Sequence, residues 1–246
     1  MLDYTRTTLE LLYNISRELT SDLDLRTVLV RVLTNSSRHV GAERASIVVV
    51  EGGQAVDAAI IATDIGSEHV ERCRPFMEAG VPVFIDKPLV DREDDLRTFQ
   101  LWAREGKPFM SSSCMAYAKE FQPYRASTHD LGAVRYATVT TMKSWERYGI
   151  HALSAVYPIL GPGFLSARHL GTRERAFVHF DHACGAHVAV AAIDDMHGGF
   201  GKLLLCGTRD SVFVAFHDTY HAFRAQLEDF VHFLRSGHAR TPFAHT

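Results

Sequence analysis

The sequence predicts an α/β protein, in which a parallel sheet flanked by helices is followed by an α+β region whose sheet is largely antiparallel, with two helices at the N-terminus. Three observations carry this reading. Between residues 57 and 112, short apolar runs of strand type alternate with amphipathic helical stretches, the pattern of β-α-β-α-β units. Beyond about residue 123 the period changes, and strand-like runs follow one another with turns between them, as in antiparallel sheets. The first 40 residues contain no Gly, and no Pro precedes Pro75.

The N-terminal helices rest on apolar residues at helical spacing: Leu9, Leu12, Ser16 and Leu19, then Leu25, Val28, Leu29, Val32, Leu33 and Val40. Thr20-Ser21-Asp22 separates them with N-cap residues, and Gly41 supplies a C-cap. Residues 45–50 are a short β-branched strand, and Glu51-Gly52-Gly53 is a turn. Residues 57–63 form the next strand. A helix over 67–79 places Val70, Cys73 and Met77 on one face, carries Pro75 as an expected kink, and stops at Gly80. Val83-Phe84-Ile85 runs into Asp86-Lys87-Pro88. A helix over 92–105 is broken by Gly106-Lys107-Pro108, and Phe109-Met110 starts a strand.

After that, residues 133–142 alternate as a strand. A helix over 148–160 is stopped by Gly161-Pro162-Gly163. Strands are expected at 176–182, 186–193, 202–206 and 211–216, and a last helix at 222–235. The implied organisation is 1–53, 54–125 and 126–246.

Composition narrows the function classes. The chain has 246 residues, with 26 Lys plus Arg against 29 Asp plus Glu, a net charge of −3. No basic excess points to nucleic acid or to an anionic membrane. No apolar run reaches the roughly 18 residues of a membrane helix, and the charged residues interleaved in the first 14 positions do not read as a signal peptide. Cys73, Cys114, Cys184 and Cys206 lie far apart with no zinc-finger spacing, as expected of a reduced, cytoplasmic protein with mostly buried thiols. Cys114, in a Ser-rich stretch, is compatible with an exposed position.

Twelve of the 14 histidines lie from His129 onward. His179, Asp181, His182, His187, Asp194, Asp195 and His197 crowd 19 positions. Strand alternation puts His179 and Asp181 on one face and His182 on the other, and no HExxH spacing occurs, so no metal site is expected.

Several motifs occur in a fixed order: the strand at 57–63, His69 opening the next helix, Glu78-Ala79-Gly80 closing it, Phe84-Ile85-Asp86-Lys87-Pro88, and Tyr148-Gly149-Ile150-His151-Ala152-Leu153. Over about residues 56–246 this order resembles the glucose-fructose oxidoreductase and inositol dehydrogenase family (Gfo/Idh/MocA). The Asp-Lys-Pro stands for the family's Glu-Lys-Pro, and the helix for its Asp-x-Gly-x-His. The resemblance implies a partial Rossmann-like domain binding NAD or NADP and a second domain binding a small, sugar-like substrate. It also implies a homo-oligomer paired through the C-terminal sheet. By the same resemblance Lys87 and His151 are the catalytic candidates. Thr63, Asp64 and Lys87 are the cofactor-binding candidates, and Trp145 and Tyr148 the substrate-binding ones. A lysine suits the work because its cation steadies developing oxyanion charge, and an imidazole exchanges protons near neutral pH.

Two departures bear on activity. Arg147 stands where the family has its aspartate, leaving Tyr148 or Glu146 as stand-ins. No G-x-G-x-x-G loop occurs, and Gly161-Pro162-Gly163 and Gly198-Gly199-Phe200-Gly201-Lys202 read as turns. Residues 9–51 resemble instead the opening of a GAF domain, on the run LLYNISRELTSDLDLRTVLVRVLTNSSRHVGAERASIVVV. The expectation is an oxidoreductase-derived protein with weak or absent dinucleotide binding. The alternative is a non-enzymatic GAF-like sensory or interaction module.

Overall fold

The computed structural model describes residues 57–240 and Phe243. The two N-terminal helices, the strand at 45–50 and the GAF-like segment lie outside the described residues.

The first layer is a three-stranded parallel sheet, β1 (Ala59–Ile61), β2 (Val83–Asp86) and β3 (Phe109–Ser112), in the order β1-β2-β3. Helices α1 (His69–Ala79) and α2 (Glu93–Arg104) make the two crossovers. The strands are short and buried along nearly their whole length because both faces are covered. Val83 and Ile85 bury against Cys73 and Met77 of α1 and Phe99 and Trp102 of α2. Phe99 holds Trp102 edge-on at 5.1 Å and Phe109 at 5.2 Å. α1 runs on through Pro75 and ends where Gly80 takes φ 70°, a left-handed cap that costs a residue with a Cβ more than it costs glycine.

Two 3-10 turns (Cys114–Tyr117 and Lys119–Phe121) and the short α3 (Gln122–Ala126) lead into the second layer. This holds β4 (Val134–Met142), α4 (Trp145–Leu160), β5 (Phe164–Gly171), β6 (Arg175–His182), β7 (His187–Ile193), β8 (Lys202–Gly207), β9 (Ser211–Ala215) and α5 (Thr219–Ser236). The six strands form one sheet in the order β5-β6-β7-β4-β8-β9. Every pair is antiparallel except β4–β7, which is parallel. One face carries Ala137, Val139, Val178, Phe180, Val188, Val190, Leu203 and Leu205, all buried, against Ala152, Ala155 and Val156 of α4 and Met115 and Phe121 of the 3-10 turns. Burying one such aliphatic side chain fully contributes about 1.5–3 kcal/mol. The other face leaves Tyr136, Leu170, Phe177 and Phe213 exposed. α5 closes the molecule back onto the first layer, with its Phe230 ring 5.5 Å from Phe84 of β2.

The α/β reading and the largely antiparallel second sheet stand. Details differ: the first strand is shorter than expected (Ala59–Ile61), and α4 begins at Trp145, three residues before the expected start. β5 escapes the sequence reading because an edge strand exposed along most of its length has no buried alternation to display. α5 begins at Thr219, three residues earlier than expected, because the Asp218 carboxylate accepts from the His221 amide at 2.9 Å and caps it. Cys114 is buried: the serines before it end β3 and cap a turn that packs into the core.

Candidate active site

The three parallel strands point their carboxyl ends the same way, which is where open α/β sheets gather ligands. Past the end of β1 come Thr63 and Asp64. The last residue of β2 is Asp86, and Lys87 follows it, joined to Pro88 by a cis peptide. Ser113 follows β3. Across from them α4 brings Tyr148 and His151.

Lys87 is the centre. Its side chain is only 10% exposed, and Nζ lies 3.4 Å from the Asp86 carboxylate and 3.6 Å from that of Asp64. A buried ammonium is held this way only if opposite charge offsets its lost hydration. Burial pushes the Asp86 carboxyl above its ordinary range, and the Lys87 cation opposes that shift. On another side Nζ stands 5.6 Å from the centre of the Tyr148 ring. Lys143, held at φ 63° just beyond β4, lies 4.7 Å from the same ring. Two cations on one phenol ring are a cation–π arrangement.

The Tyr148 ring meets His151 edge-on at 4.9 Å, and Phe200 packs on His151 at 5.2 Å. His151 Nδ1 and Ser113 Oγ are 2.7 Å apart, and Ser113 Oγ also accepts from the Met115 amide at 3.1 Å. Burial, aided by the Lys87 and Lys143 cations, pulls the imidazole down to about 3. His151 is therefore a neutral ring at physiological pH, with one nitrogen engaged by a hydroxyl.

The loop holding Asp64 is fixed from two directions. His69 bridges the carbonyls of Thr63 (Nε2, 3.0 Å) and Leu89 (Nδ1, 2.9 Å). Gly66 lies so close to the following segment that a Cβ there would be 2.6 Å from the Val90 carbonyl carbon. Glycine is needed at this position for room. Thr63 Oγ1 is buried with no hydrogen-bond partner. Such an orphan is uncommon in a folded chain and leaves the hydroxyl able to take a further hydrogen bond.

Lys87, Asp64, Tyr148 and His151 are thus brought together, and Thr63 stands beside Asp64. Asp64 caps no helix: the turn at Gly66–Glu68 has Ile65 at its N-cap, with no side-chain bond. Trp145 goes elsewhere. Its ring sits 6.4 Å from Phe180 and over Gly149, packed on the buried face of the second sheet. Glu146 faces outward and pairs with Arg173 at 3.2 Å, leaving Tyr148 as the stand-in near His151. Asp86, Ser113, Lys143 and Phe200 are additions. Asp86 is inside the Asp-Lys-Pro signature and was available to the sequence reading. The other three are placed by tertiary packing and have no local signal. Cys114 lies nearby, but burial pushes its thiol up to about 12, so it is no nucleophile.

A nicotinamide dinucleotide needs a reacting end and a cradle for its pyrophosphate. The strand ends, with the unpartnered Thr63 hydroxyl, fit the first. Among the described residues nothing fits the second. The β1–α1 turn has one glycine, and its backbone is packed against Val90–Asp91. The β2–α2 turn has none.

No protein-family model matches the chain. No curated protein matches it either. Solved structures do. Myo-inositol 2-dehydrogenase from Lactobacillus plantarum superposes with a TM-score of 0.67 at 15% identity, covering 78% of this chain and 75% of that one. An oxidoreductase from Agrobacterium radiobacter, solved with NAD+, L-tartaric acid and magnesium, gives 0.63 at 16% identity, covering 76% and 72%. Biliverdin reductase from Synechocystis sp. PCC 6803, solved with biliverdin and NADP+, gives 0.59 at 18% identity, covering 77% and 75%. Their ligands differ widely, so the shared architecture does not by itself name a substrate. At these identities the likeness shows the fold: a parallel sheet joined to a mostly antiparallel one, built as in these oxidoreductases.

Proposed function

We propose that this chain carries the reacting centre of an NAD(P)-type oxidoreductase for a small polyol or sugar-like substrate, with the dinucleotide held weakly for want of a glycine cradle. One observation carries the proposal. Lys87, pinned by Asp64 and Asp86 at the carboxyl ends of the parallel strands, shares the Tyr148 ring with a buried neutral histidine. Lys87 holds the substrate hydroxyl oxygen and steadies negative charge as it develops. His151, kept neutral, accepts a hydrogen bond from the substrate hydroxyl at Nε2 in the tautomer whose Nδ1–H donates to Ser113 Oγ. Thr63 and Asp64 are the residues that would flank a bound nicotinamide, whose chemistry is to take or give the hydride.

Two sheets with separate apolar clusters support a division into residues 54–125 and 126–246. The open apolar face of the larger sheet supports a homo-oligomer. Among the described residues no helix is long and apolar enough to cross a membrane.

Titration with NADH and NADPH, followed by nicotinamide fluorescence, tests the proposal. The expected result is saturable binding in the high-micromolar to millimolar range, weakened about tenfold or more by Lys87→Ala. No binding of either cofactor up to millimolar concentration overturns the reading.

A further inference from the structure

The structure assigns a divalent transition-metal site to His179, Asp181 and His187, on the open face of the six-stranded sheet and separate from the Lys87 centre. Strand alternation puts His179 and Asp181 on one face of β6. The β6–β7 register then sets His187 directly across from Asp181, so two neighbouring strands present three donors to the same side.

The spacing fits an ion. His179 Nε2 and His187 Nδ1 are 3.1 Å apart, His187 Nδ1 and Asp181 Oδ1 are 3.2 Å apart, and His179 Nε2 and Asp181 Oδ1 are 3.9 Å apart. Ligand bonds of about 2.0–2.2 Å, at tetrahedral or octahedral angles, put donor atoms roughly 3.0–3.6 Å from each other. The two shorter separations fall in that range, and the third needs a closure of a few tenths of an ångström. The two ring centroids are 5.2 Å apart with the planes inclined by 30°, and one atom from each of the three side chains lies within 4.8 Å of the other two.

The carboxylate is oriented for the role. Ser166 Oγ donates to Asp181 Oδ2 at 2.6 Å, and Arg168 lies 3.8 Å from that same oxygen. Both partners occupy Oδ2 and leave Oδ1 to the histidines. This is the outer-shell support that metal-binding carboxylates receive. Two imidazoles and one carboxylate select zinc, cobalt, nickel or copper over magnesium and calcium, which prefer oxygen donors. His187 is 63% exposed, so an ion enters from solvent and keeps at least one position for water.

The competing arrangement is a plain N–H···N bond between the two rings. Cobalt separates the two, because a ligated Co2+ absorbs in the visible and a hydrogen-bonded histidine pair does not. Untagged full-length protein, freed of metal with a chelator, is titrated with Co2+ by absorbance and with Zn2+ by calorimetry. The expected result is one equivalent of each ion bound, with Asp181→Asn and His187→Ala each weakening Zn2+ about tenfold or more. His217→Ala, on a separate loop, leaves the affinity unchanged. Circular dichroism checks that the variants fold, and excess Mg2+ does not displace the cobalt. Absence of saturable Co2+ and Zn2+ uptake overturns the assignment. So does wild-type affinity in the His179→Ala/His187→Ala double variant.

Discussion

The two sheets put their chemistry in different places. The parallel sheet is covered on both faces, and its functional side chains lie beyond the strand ends, where Asp64, Lys87 and Ser113 converge. The six-stranded sheet is covered on one face only, and its polar cluster lies on the open face, across the β6–β7 register. The cause is the covering. A strand buried on both sides has no room for a charged side chain along its length, so polar groups are displaced to its end. A half-covered strand offers every second residue to solvent. The parallel layer makes a deep site with few charges, each held by another. The antiparallel layer makes a shallow site with spare exposure.

The strongest way to break this comparison is to remove a side chain on which the half-covered description depends. Leu205 of β8 is fully buried against the helical side of the sheet, while Leu204, its neighbour in sequence, faces the other way. Leu205→Ala is expected to cost about 3 kcal/mol, the transfer term plus the cavity it leaves. Urea unfolding followed by fluorescence measures this. A loss below about 1 kcal/mol would mean that this face is not the core.

The parallel layer's site has a smaller, pH-dependent signature. His151 titrates at about 3 in the folded chain, against an unfolded value of 6.5. Between those values the unfolded chain binds more protons, so stability rises with pH. The contribution is complete above about 6.5, is lost progressively as pH falls, and is gone below about 3. Between pH 7 and pH 5 it amounts to about 2 kcal/mol at roughly 1.4 kcal/mol per unit. His151→Gln keeps a partner for Ser113 but does not titrate. Its stability is therefore expected to fall less than wild type's by that amount over the same window. Thermal melts at the two pH values check it. Identical slopes in the two proteins would show that His151 is solvated and free to charge.

Much of the parallel layer was legible because its signals are local. The apolar run ending in Asp-Lys-Pro and Gly80 as a stop are each read within a few residues of chain, as is the Tyr148-to-His151 spacing on α4 of the second layer. Lys143, Phe200 and Ser113 were not legible, because each reaches the site from a different element and only packing brings them there. Alternation correctly separated His179 and Asp181 from His182, but no sequence argument fixed the register that brings in His187. β5 was missed for a related reason: an edge strand with one exposed side and few buried residues has no period to read. Trp145 shows the converse: its place in a motif-bearing helix is compatible with a substrate face or with core packing, and the helix turn that brings His151 to Ser113 brings Trp145 to Phe180.

The smallest expected effect tests the open face itself. Phe213 of β9 is 64% exposed, on the side of the sheet opposite Leu203 and Leu205. Within a single chain it has little to lose. Phe213→Ser removes little buried area and leaves no enclosed cavity, so unfolding is expected to shift by no more than about 0.5 kcal/mol. An aromatic side chain left in water on the face that also exposes Tyr136, Phe177 and Leu170 is costly to solubility unless another surface covers it. If copies of the chain pair through this face, Phe213→Ser leaves the fold intact and lowers the mass seen by light scattering at a given concentration. The two measurements answer separately. Lost stability at unchanged mass would mean that the residue packs within its own chain and the face is not open. Lost mass at unchanged stability would show that the half-covered sheet is completed by a second copy.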